Sequence, residues 1–308
     1  MTGARIGLDP GAASTTSAQA NLRSDLGSGL CQIWGILNIT PDSFSDGGRF
    51  LGVDSALQQA RRLAAQGADV LDIGGASSRP AGRDYGAGAA TVTPAQELDR
   101  IMPVVEAVKR ELPITISVDT TQAEVARAAL SAGVHIINDV SCAAHPDLLA
   151  ATAAAGAEYV LMHNRGDGRV SGDHIRYDDV VEDVCVELAQ AVNSAVAAGI
   201  SRNRIWLDPG LGFAKTVEQS VALLAATERL VACGQRLLVG PSRKGFIGVL
   251  GTPSGQVPPA PPERDGGTVA AVTVAAVAGA HAVRVHDVKS AYQAVRLVAA
   301  VSAARRTS

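Results

Sequence analysis

The segment TISVDTTQAEVARAALSAGVHIINDV, residues 115–140, contains the repeating unit on which the fold depends. A short apolar run at 115–119 precedes a stretch of helical periodicity at 122–132, and a second apolar run follows at 135–140. Gly133 stands between the helix and the second strand, where a glycine in the left-handed conformation typically ends a helix. This order of strand, helix and strand indicates two parallel strands joined by a crossover.

The same alternation extends along the chain on both sides of this unit. Six further strands are predicted at residues 33–39, 70–74, 159–163, 205–208, 237–242 and 282–286. Helical stretches are predicted between the strands, at 55–66, 95–111, 180–198, 218–232 and 268–278. Three of these helices are followed by a C-cap glycine, as the first was: Gly67, Gly199 and Gly279.

The number of these units decides between two fold classes. Eight units of roughly 30 residues each account for the length of a (β/α)₈ barrel, about 250 residues. A doubly wound open sheet is the alternative, but it would need a glycine-rich phosphate turn after an early strand, and none is present. We therefore predict an α/β fold, a single-domain (β/α)₈ TIM barrel.

Composition is consistent with one large globular domain. Of the 308 residues, 47% are hydrophobic and 19% are charged, a balance that excludes a disordered or fibrous protein. Residues 1–29 lack the apolar run of a signal peptide, so we predict a flexible N-terminal tail there. The catalytic domain would then span residues 30–308.

Charge, hydrophobicity and cysteine spacing argue against nucleic-acid and membrane partners and indicate a compartment. The formal net charge is −3 and no cluster of Lys and Arg is present, so nucleic acid is not expected as a partner. No apolar stretch is long enough for a membrane span, so no membrane partner is expected either. The four cysteines are far apart in sequence and lack metal-binding spacing, which indicates incidental thiols in a reducing compartment. We therefore expect a cytoplasmic protein.

Polar residues end the predicted strands, and this is the most informative feature of the sequence. In a barrel the carboxyl ends of the strands meet at one rim, where active sites of this fold lie. Any one such residue could be an ordinary helix N-cap or turn residue, but the whole set favours a binding site. The set consists of Asn38, Asp72, Asp119, Asn138, Asp139, His163, Asp208, Ser242, Arg243, Lys244, Arg284 and His286.

The chemistry of these side chains predicts two kinds of ligand group. Carboxylates, an amide and a cation suit a flat heterocycle with several N–H donors and ring nitrogens; they come from Asp119, Asn138, Asp208 and Lys244. Cationic and amide groups that suit a phosphate or pyrophosphate come from Asn38, Arg79, Arg284 and His286. The residues alone therefore indicate a planar, nitrogen-rich ligand with an anionic leaving group.

Eight segments, in order along the chain, carry motifs that include these residues. They are GILNITPDSFSDGG at 35–48, DIGGASSRP at 72–80, SVDT at 117–120, IINDVS at 136–141, LMHNRG at 161–166, LDPGLGFAKT at 207–216, GPSRKGF at 240–246 and RVHDV at 284–288. Through these eight motifs the chain resembles the dihydropteroate synthases of the pterin-binding enzyme family. The resemblance covers nearly all of the chain after residue 29. The LDPGLGFAKT form is similar to that of high-GC actinobacterial members.

The resemblance implies a transferase of folate biosynthesis. In its reaction, 4-aminobenzoate would displace pyrophosphate from 6-hydroxymethyl-7,8-dihydropterin pyrophosphate to give 7,8-dihydropteroate. The step would have dissociative character, so the site must stabilise a pterin cation and a departing pyrophosphate separately, which preorganised charges do best. The partners would be these two small molecules, with Mg²⁺ as the cofactor, held through Asn38.

The resemblance also implies how the pterin pyrophosphate is bound and activated. Met162 would pack near the pterin ring and Arg284 would stack on its face, alongside the heterocycle-binding residues named above. The loop at 40–48 would close over the site and exclude water. Catalytic roles would fall to Lys244, Asp119, Asp46 and Arg79. We interpret His163 as a hydrogen-bonded structural residue, and Met162 could equally be a core residue.

The aminobenzoate pocket is the second part of the site that the resemblance implies. Its residues would be Phe44, Ser78, Pro80, Phe213, Lys215 and Gly245. Lys244 would help to shape the pocket, and Lys215 would orient one wall of it.

Three positions depart from the common family pattern. Family members commonly carry Glu at Ala76, Asn at Ser220 and a hydroxyl residue at Gly245. The missing hydroxyl at Gly245 removes one donor to the aminobenzoate carboxylate. The stretch 81–93 is longer than in compact members and rich in glycine. We therefore expect an altered response to sulfonamides, which mimic aminobenzoate.

The proline-rich stretch at 252–263 is predicted to be an extended surface loop rather than a helix, and it carries no catalytic candidates.

Two alternative functions share the pterin-binding residues. A corrinoid-type, pterin-dependent methyltransferase would not need the SRK and RVHD anion-binding groups. A non-catalytic pterin-binding paralogue would be expected to lose one of Asn38, Asp119, Lys244 and Arg284, and all four are present. A homodimer is expected from the resemblance, with the apolar helices at 269–278 and 291–301 as its interface.

Overall fold

Eight parallel strands close into a barrel in the computed structural model of this chain, which describes residues 30–39, 48–76, 92–166 and 175–307. Each strand pairs in parallel with the next along the chain, and the last strand pairs with the first. The sheet therefore has no open edge. The predicted (β/α)₈ barrel is confirmed.

The barrel strands and the helices around them alternate along the chain. The strands are β1 Gln32–Asn38, β2 Val70–Gly74, β3 Thr115–Asp119, β4 Ile136–Asp139, β5 Glu158–Met162, β6 Ile205–Asp208, β7 Arg236–Val239 and β8 Ala282–Val285. The α-helices are α1 Gly48–Ala65, α2 Pro94–Glu111, α3 Ala123–Ser131, α4 Pro146–Ala155, α5 Val180–Ala197, α6 Val217–Ala225, α7 Thr227–Val231, α8 Gly245–Leu250, α9 Asp265–Val277 and α10 Val288–Thr307. Short 3₁₀ turns, Arg202–Arg204 and Pro261–Arg264, precede β6 and α9.

Side-chain alternation along each strand sorts residues between the barrel interior and the surrounding helices. The inward residues near the amino ends of the strands form an apolar plug: Trp34, Val70, Ile136, Val160, Trp206, Leu238 and Ala282. Two positions further along their strands, the inward residues include Asp72, Asn138, Asp208 and Arg284. Period-two alternation therefore places these polar side chains above the plug, inside the carboxyl mouth of the barrel.

The glycines predicted to end helices have the backbone conformation expected of them. Positive φ angles occur at Gly67 (104°), Gly133 (86°), Gly199 (102°) and Gly279 (85°). At Gly67 a Cβ atom would also lie 2.4 Å from the ring of Tyr292 on α10. These helix ends thus depend on glycine for conformation, and one also for space.

Strand boundaries differ from the prediction at the carboxyl ends. Strand β7 ends at Val239 rather than at Ser242, because Pro241 has no N–H to donate to a neighbouring strand. His163 and His286, predicted as strand ends, lie one residue beyond β5 and β8. All three polar residues therefore belong to the loops at the barrel mouth.

The helix predictions need three corrections. The first predicted helix, 55–66, begins seven residues earlier, at Gly48. The predicted helix 218–232 is divided into α6 and α7 at Ala226, where Thr227 Oγ1 donates to Leu224 O over 2.7 Å and competes with the helical backbone. Helices α4 and α8 were not predicted, because α4 is almost uniformly apolar and α8 has only six residues.

Two segments, 252–263 and 1–29, were predicted to lack helices and strands. The stretch 252–263 is a mainly exposed loop as predicted, except that Pro261–Arg264 forms a 3₁₀ turn at its end. The N-terminal tail, residues 1–29, lies outside the described residues.

In the part of the chain that the structure describes, no helix combines the length and the apolar character needed to cross a bilayer.

Candidate active site

Arg284, on β8, connects the carboxylates of two other strands at the centre of the barrel mouth. Its Nη2 donates to Asp119 Oδ2 over 2.8 Å, and its Nε donates to Asp72 Oδ2. Asn138 Nδ2 donates to the same Asp72 oxygen over 3.2 Å. The carboxylates and the amide are buried. These four side chains, from β2, β3, β4 and β8, are called the mouth network below.

Burial changes the charge behaviour of the mouth network. It raises the pKa of Asp119 to about 7, against the opposing effect of Arg284 and with a further rise from neighbouring carboxylates such as Asp72. Although burial disfavours a charged guanidinium, Asp72 and Asp119 together raise the pKa of Arg284. Arg284 is therefore a permanent cation, whereas Asp119 changes its charge near neutral pH.

Asp208 and Lys244 form the opposite side of the mouth. Asp208 ends β6, and its Oδ1 accepts from Gly210 N over 2.7 Å. Lys244 immediately precedes α8, and its Nζ lies 4.0 Å from the centroid of the Phe213 ring. Burial lowers the pKa of Lys244 to about 8, and it raises the pKa of Asp208. Each group favours the charged form of the other, so together they can hold a polar ligand.

Two further predicted contact residues lie at the same mouth. Met162 ends β5, is buried and pairs in register with Asp208. Asn38 ends β1, is exposed and pairs in register with Gly74. Met162 can therefore supply an apolar floor beside Asp208, while the Asn38 amide is open to a ligand at the rim.

Ser242 and His286 form a polar pair between the loops after β7 and β8. Ser242 Oγ accepts from His286 N over 3.1 Å and lies 2.9 Å from His286 Nδ1. Burial and then the nearby guanidinium of Arg243 lower the pKa of His286 to about 3. His286 is therefore neutral at pH 7, so its predicted part in anion binding would be donation of an N–H group. The pyrophosphate-binding role of His286 stays a prediction, with the neutral ring rather than a cation as the form that would act.

The Arg243 guanidinium, although near His286, is bound to a different residue. Arg243 has a positive φ of 58°, and its guanidinium makes two hydrogen bonds of 2.8 Å to Asp265 at the start of α9. This left-handed residue turns the chain between β7 and α8, so that Ser242 and Lys244 flank a side chain directed to the outer helices. Arg243 therefore holds the turn rather than a ligand.

Of the residues predicted to form an aminobenzoate pocket, the structure describes Phe213, Lys215 and Gly245. Phe213 is buried beneath Lys244, and Gly245 is the buried first residue of α8. Lys215 is only 1% exposed, and its Nζ donates to the Phe213 carbonyl over 2.9 Å. Lys215 can therefore act on a ligand only through the wall that it supports.

Several predicted residues lie outside the described residues: Phe44, Asp46, Ser78, Arg79 and Pro80. The predicted closing loop, at 40–47, and most of the glycine-rich stretch, at 81–91, also lie outside the described residues. Their predicted roles stay predictions.

Asp72 was counted among the polar residues that end strands, but no ligand group was assigned to it. It is fully buried, and its Oδ2 accepts from two members of the mouth network, whereas its Oδ1 has no partner among the described residues. The period-two pattern Val70, Asp72, Gly74 was the available signal, because it places the carboxylate inside the barrel.

Glu97 and Glu187 were not identified from the sequence. Glu97, on α2, is buried and shares a hydrogen bond with Thr120, the residue after Asp119. Glu187, on α5, lies 3.1 Å from His163 Nε2. Both carboxylates lie on helices and fit an ordinary amphipathic pattern, so no signal in the sequence could have found them.

The mouth therefore has carboxylate acceptors, an amide and two cations, on strands and on the loop after β7. The carboxylates and the amide can pair with the N–H groups and ring nitrogens of a flat heterocycle. The cations and the neutral histidine can receive negative charge that develops as an anion leaves. Such a site suits displacement of an anionic group from a nitrogen-rich ring.

Comparison with known proteins agrees with this chemistry. The family model for the pterin binding enzyme matches residues 34–286. A dihydropteroate synthase of Mycobacterium leprae is 44% identical over 272 residues, covering 87% of this chain and 93% of the relative. The structure of Xanthomonas albilineans dihydropteroate synthase with 4-aminobenzoic acid has a TM-score of 0.80 at 42% identity, covering 89% of this chain and 94% of that chain. The structure of the Xanthomonas albilineans enzyme in complex with 7,8-dihydropteroate has a TM-score of 0.77 at 39% identity, with the same coverage. The chain belongs to the pterin-binding enzyme family and, within it, to the dihydropteroate synthases.

Proposed function

We propose that this chain condenses 6-hydroxymethyl-7,8-dihydropterin pyrophosphate with 4-aminobenzoate, releasing pyrophosphate and 7,8-dihydropteroate. The observation that carries this proposal is the convergence of Asp119, Asn138, Asp208 and Lys244 on one barrel mouth. Membership of the dihydropteroate synthases supports the same reaction.

The pterin would lie between the two sides of the mouth. Asp119, Asn138 and Asp208 would pair with its polar edge, and Met162 would pack against the ring. Lys244 would donate to a ring acceptor from the side on which it contacts Phe213. As positive charge develops on the pterin, the buried carboxylates of Asp119 and Asp208 would stabilise it without reorganisation.

The pyrophosphate would lie at the rim near β1 and β8. Arg284 would supply a permanent positive charge, and Asn38 and His286 would supply neutral donors. In the unliganded arrangement the guanidinium donates to Asp72 and Asp119. The guanidinium would therefore contribute to both parts of the site. It would compensate the carboxylates that bind the pterin, and it would bind the departing pyrophosphate. Arg79 is proposed as a second cation here.

Mg²⁺ fits this rim as an ion that arrives with the substrate. Among the described residues no group of three or more His, Cys, Asp or Glu side chains could hold a metal. Mg²⁺ is commonly bound by few protein oxygens together with substrate phosphates and water, and the exposed Asn38 amide can provide one such oxygen. Bound there, Mg²⁺ would neutralise charge on the departing pyrophosphate.

The aminobenzoate would stand on the Phe213 side of the mouth. Its ring would pack against Phe213, and its carboxylate would face Lys244 and the backbone N–H of Gly245. Phe44, Ser78 and Pro80 would complete the pocket, and closure of their loops would bring Asp46 to the reacting centre and exclude water. Because Gly245 lacks a hydroxyl, we propose weaker binding of sulfonamides.

Pyrophosphate release by the purified chain tests the function. Release should require both substrates and Mg²⁺ and should match 7,8-dihydropteroate formation mole for mole. We expect Lys244→Ala to reduce kcat/KM by about 100-fold, because it removes a half-buried charge at the pterin. Lys289→Ala, at an exposed position of α10, is the matched control and should leave the rate unchanged.

If no pyrophosphate is released, measurements of pterin binding and of methyl transfer would identify the alternative functions. Pterin binding without product would indicate the non-catalytic pterin-binding paralogue. Methyl transfer from a methylated pterin to a corrinoid, without pyrophosphate release, would indicate the methyltransferase. Either outcome would overturn the proposal.

A homodimer is proposed on an apolar surface of the last two helices. Val274 and Val277 on α9 and Leu297 and Val301 on α10 are between 43% and 66% exposed. We expect Val277→Asp combined with Leu297→Asp to give a monomer by light scattering. Val186→Asp, at a 45% exposed position on α5, should leave the mass unchanged. A monomeric unmodified chain would contradict the proposal.

Cytoplasmic location is proposed from the thiols. All four cysteines are free in the structure. Free thiols are typical of reducing compartments. Cell fractionation checks this, and recovery outside the cytoplasm would contradict it.

A further inference from the structure

The loop between β6 and α6 is buried over residues 209–215, although it has no regular secondary structure. Three of its residues have positive φ: Gly210 (64°), Gly212 (76°) and Ala214 (47°). A Cβ atom on Gly210 would lie 2.0 Å from the carbonyl oxygen of His163. A buried loop of this shape persists only if its polar groups are bound by the surrounding structure.

Lys215 binds two of the loop carbonyls, while Asp208 and Ser220 accept from the N–H groups of Gly210 and Gly212. Lys215 Nζ lies 2.9 Å from Phe213 O, 3.1 Å from Gly210 O and 2.9 Å from His163 Nδ1. An ammonium group has three N–H donors, and here each has one acceptor. Burial lowers the pKa of Lys215 to about 7, whereas the carboxylates of Asp208 and Glu187 raise it. A neutral amine has only two N–H donors and could not donate to all three of these atoms, so this geometry favours the ammonium form.

His163 carries the contact outward to α5. Because Nδ1 accepts from Lys215, Nε2 carries the proton and donates to Glu187 Oε2 over 3.1 Å. Burial and the Lys215 charge lower the pKa of His163 to about 4, so the ring is neutral. Burial favours the neutral acid at Glu187, but hydrogen bonds from His163 and Arg165 lower its pKa to about 2.

Arg165 and Tyr177 close this chain of contacts back onto the same loop. Arg165 binds Glu187 and lies 3.7 Å from the Tyr177 ring centroid. The Tyr177 hydroxyl donates to Ala214 O over 3.0 Å. The loop is therefore held at Gly210, Phe213 and Ala214 by one connected set of side chains.

We propose that Lys215, acting through His163 and Glu187, positions loop 209–215 and thereby sets the places of Asp208 and Phe213. This rests on the proposed function, in which Asp208 contacts the pterin and Phe213 contacts aminobenzoate. Lys215, His163 and Glu187 are positioning residues, since each acts through another group. An apolar filler of equal volume could occupy the space, but it could not orient the loop carbonyls.

Two substitutions at His163 test the proposal. In His163→Gln the side-chain oxygen can accept from Lys215 and the amide can donate to Glu187, whereas His163→Leu can do neither. We expect His163→Leu to weaken pterin binding and to raise the aminobenzoate KM together, each by about tenfold, the effect of one or two lost hydrogen bonds. His163→Gln should stay within about twofold of the unmodified chain for both constants.

Two further variants keep the test decisive if His163→Leu does not fold. Glu187 is 30% exposed in its side chain, so Glu187→Gln should fold, and we expect both constants to worsen by about threefold as one charge is removed. Adding His163→Leu to Lys215→Met should cause no further loss, because residues of one network are not additive.

Pterin affinity is measured by calorimetry with 6-hydroxymethylpterin, so it does not depend on turnover. Folding of every variant is checked by its melting temperature. Unchanged pterin affinity and aminobenzoate KM in folded His163→Leu, or in Glu187→Gln if His163→Leu does not fold, would overturn this inference. Additive losses in the double variant would also overturn it. Failure of the unmodified chain to release pyrophosphate would instead refute the proposed function.

Discussion

Arg284 Nη2 lies 2.8 Å from Asp119 Oδ2, although 165 residues separate the two in the chain. The contact joins β8 to β3 across the barrel mouth, and Asp72 accepts from the same guanidinium. The side chains of Arg284 and Asp119 are 19% and 8% exposed. A single cation therefore compensates two buried carboxylates at the centre of the site.

Removal of this cation should destabilise the fold. We expect Arg284→Gln to lower the free energy of unfolding by about 3 kcal/mol, because buried carboxylates are left without their partner. Urea unfolding at pH 8, above the pKa of Asp119, measures the loss. Arg229→Gln breaks an ion pair with Glu182 in which both side chains are more than half exposed, and should cost less than about 1 kcal/mol. Equal losses in the two variants would contradict the prediction.

Activity should have a narrow pH optimum. Asp119 must be ionised to accept N–H groups, and this fraction rises as the pH passes about 7. Lys244 must be protonated, and its charge is lost as the pH passes about 8. Because kcat/KM reports the free enzyme, we expect it to be highest between these two values.

A variant whose cation does not titrate separates the acid and alkaline limbs of this pH profile. In Lys244→Arg the side chain keeps its charge at all accessible pH values. The fall of kcat/KM on the alkaline side should therefore shift to higher pH, while the fall on the acid side stays at the same pH. The steady-state pH profile for the pterin substrate is the measurement. An alkaline limb that does not move would show that Lys244 does not set it.

Sulfonamide response should depend on the side chain at position 245. We expect Gly245→Ser to lower the inhibition constant of sulfamethoxazole by about tenfold, since one added hydrogen bond contributes about 0.5–1.5 kcal/mol. Gly245→Ala adds a Cβ atom without a hydroxyl and is the matched control. The unmodified chain should also be less sensitive than a common bacterial homologue, and equal inhibition would refute the idea.

Cys185 and Cys233 should form a disulfide when an oxidant is supplied. Their Sγ atoms, on α5 and after α7, lie 3.4 Å apart. Burial and the neighbouring thiol raise the pKa of Cys185 to about 12, so we expect reaction with diamide to be faster at pH 9 than at pH 7. Intact mass should fall by about 2 Da as two protons and two electrons pass to diamide. Cys185→Ser should show no such change, and a fall in its mass would contradict the pairing.

The repeated alternation of strand and helix determines the barrel before any contact is known. Short apolar runs cannot bury their surfaces unless they join one sheet, and crossovers make that sheet parallel. The carboxyl ends of the strands then meet at one rim, so Asp119, Asn138, Asp208 and Arg284 could be placed together from their positions alone. Local periodicity is sufficient for this, because it depends only on neighbours along the chain.

The contacts within the mouth were decided only by the tertiary structure. Sequence spacing could not show that Arg284 would bind both Asp72 and Asp119, because barrel closure brings β8 beside β1 and across from β3. It could not show that His286 is neutral, since that follows from burial beside two arginines. The relation of Lys215 to Glu187 likewise depends on how α5 packs on the barrel. Periodicity thus determined which residues reach the mouth, whereas distances and burial in three dimensions decided which of them pair and which are charged.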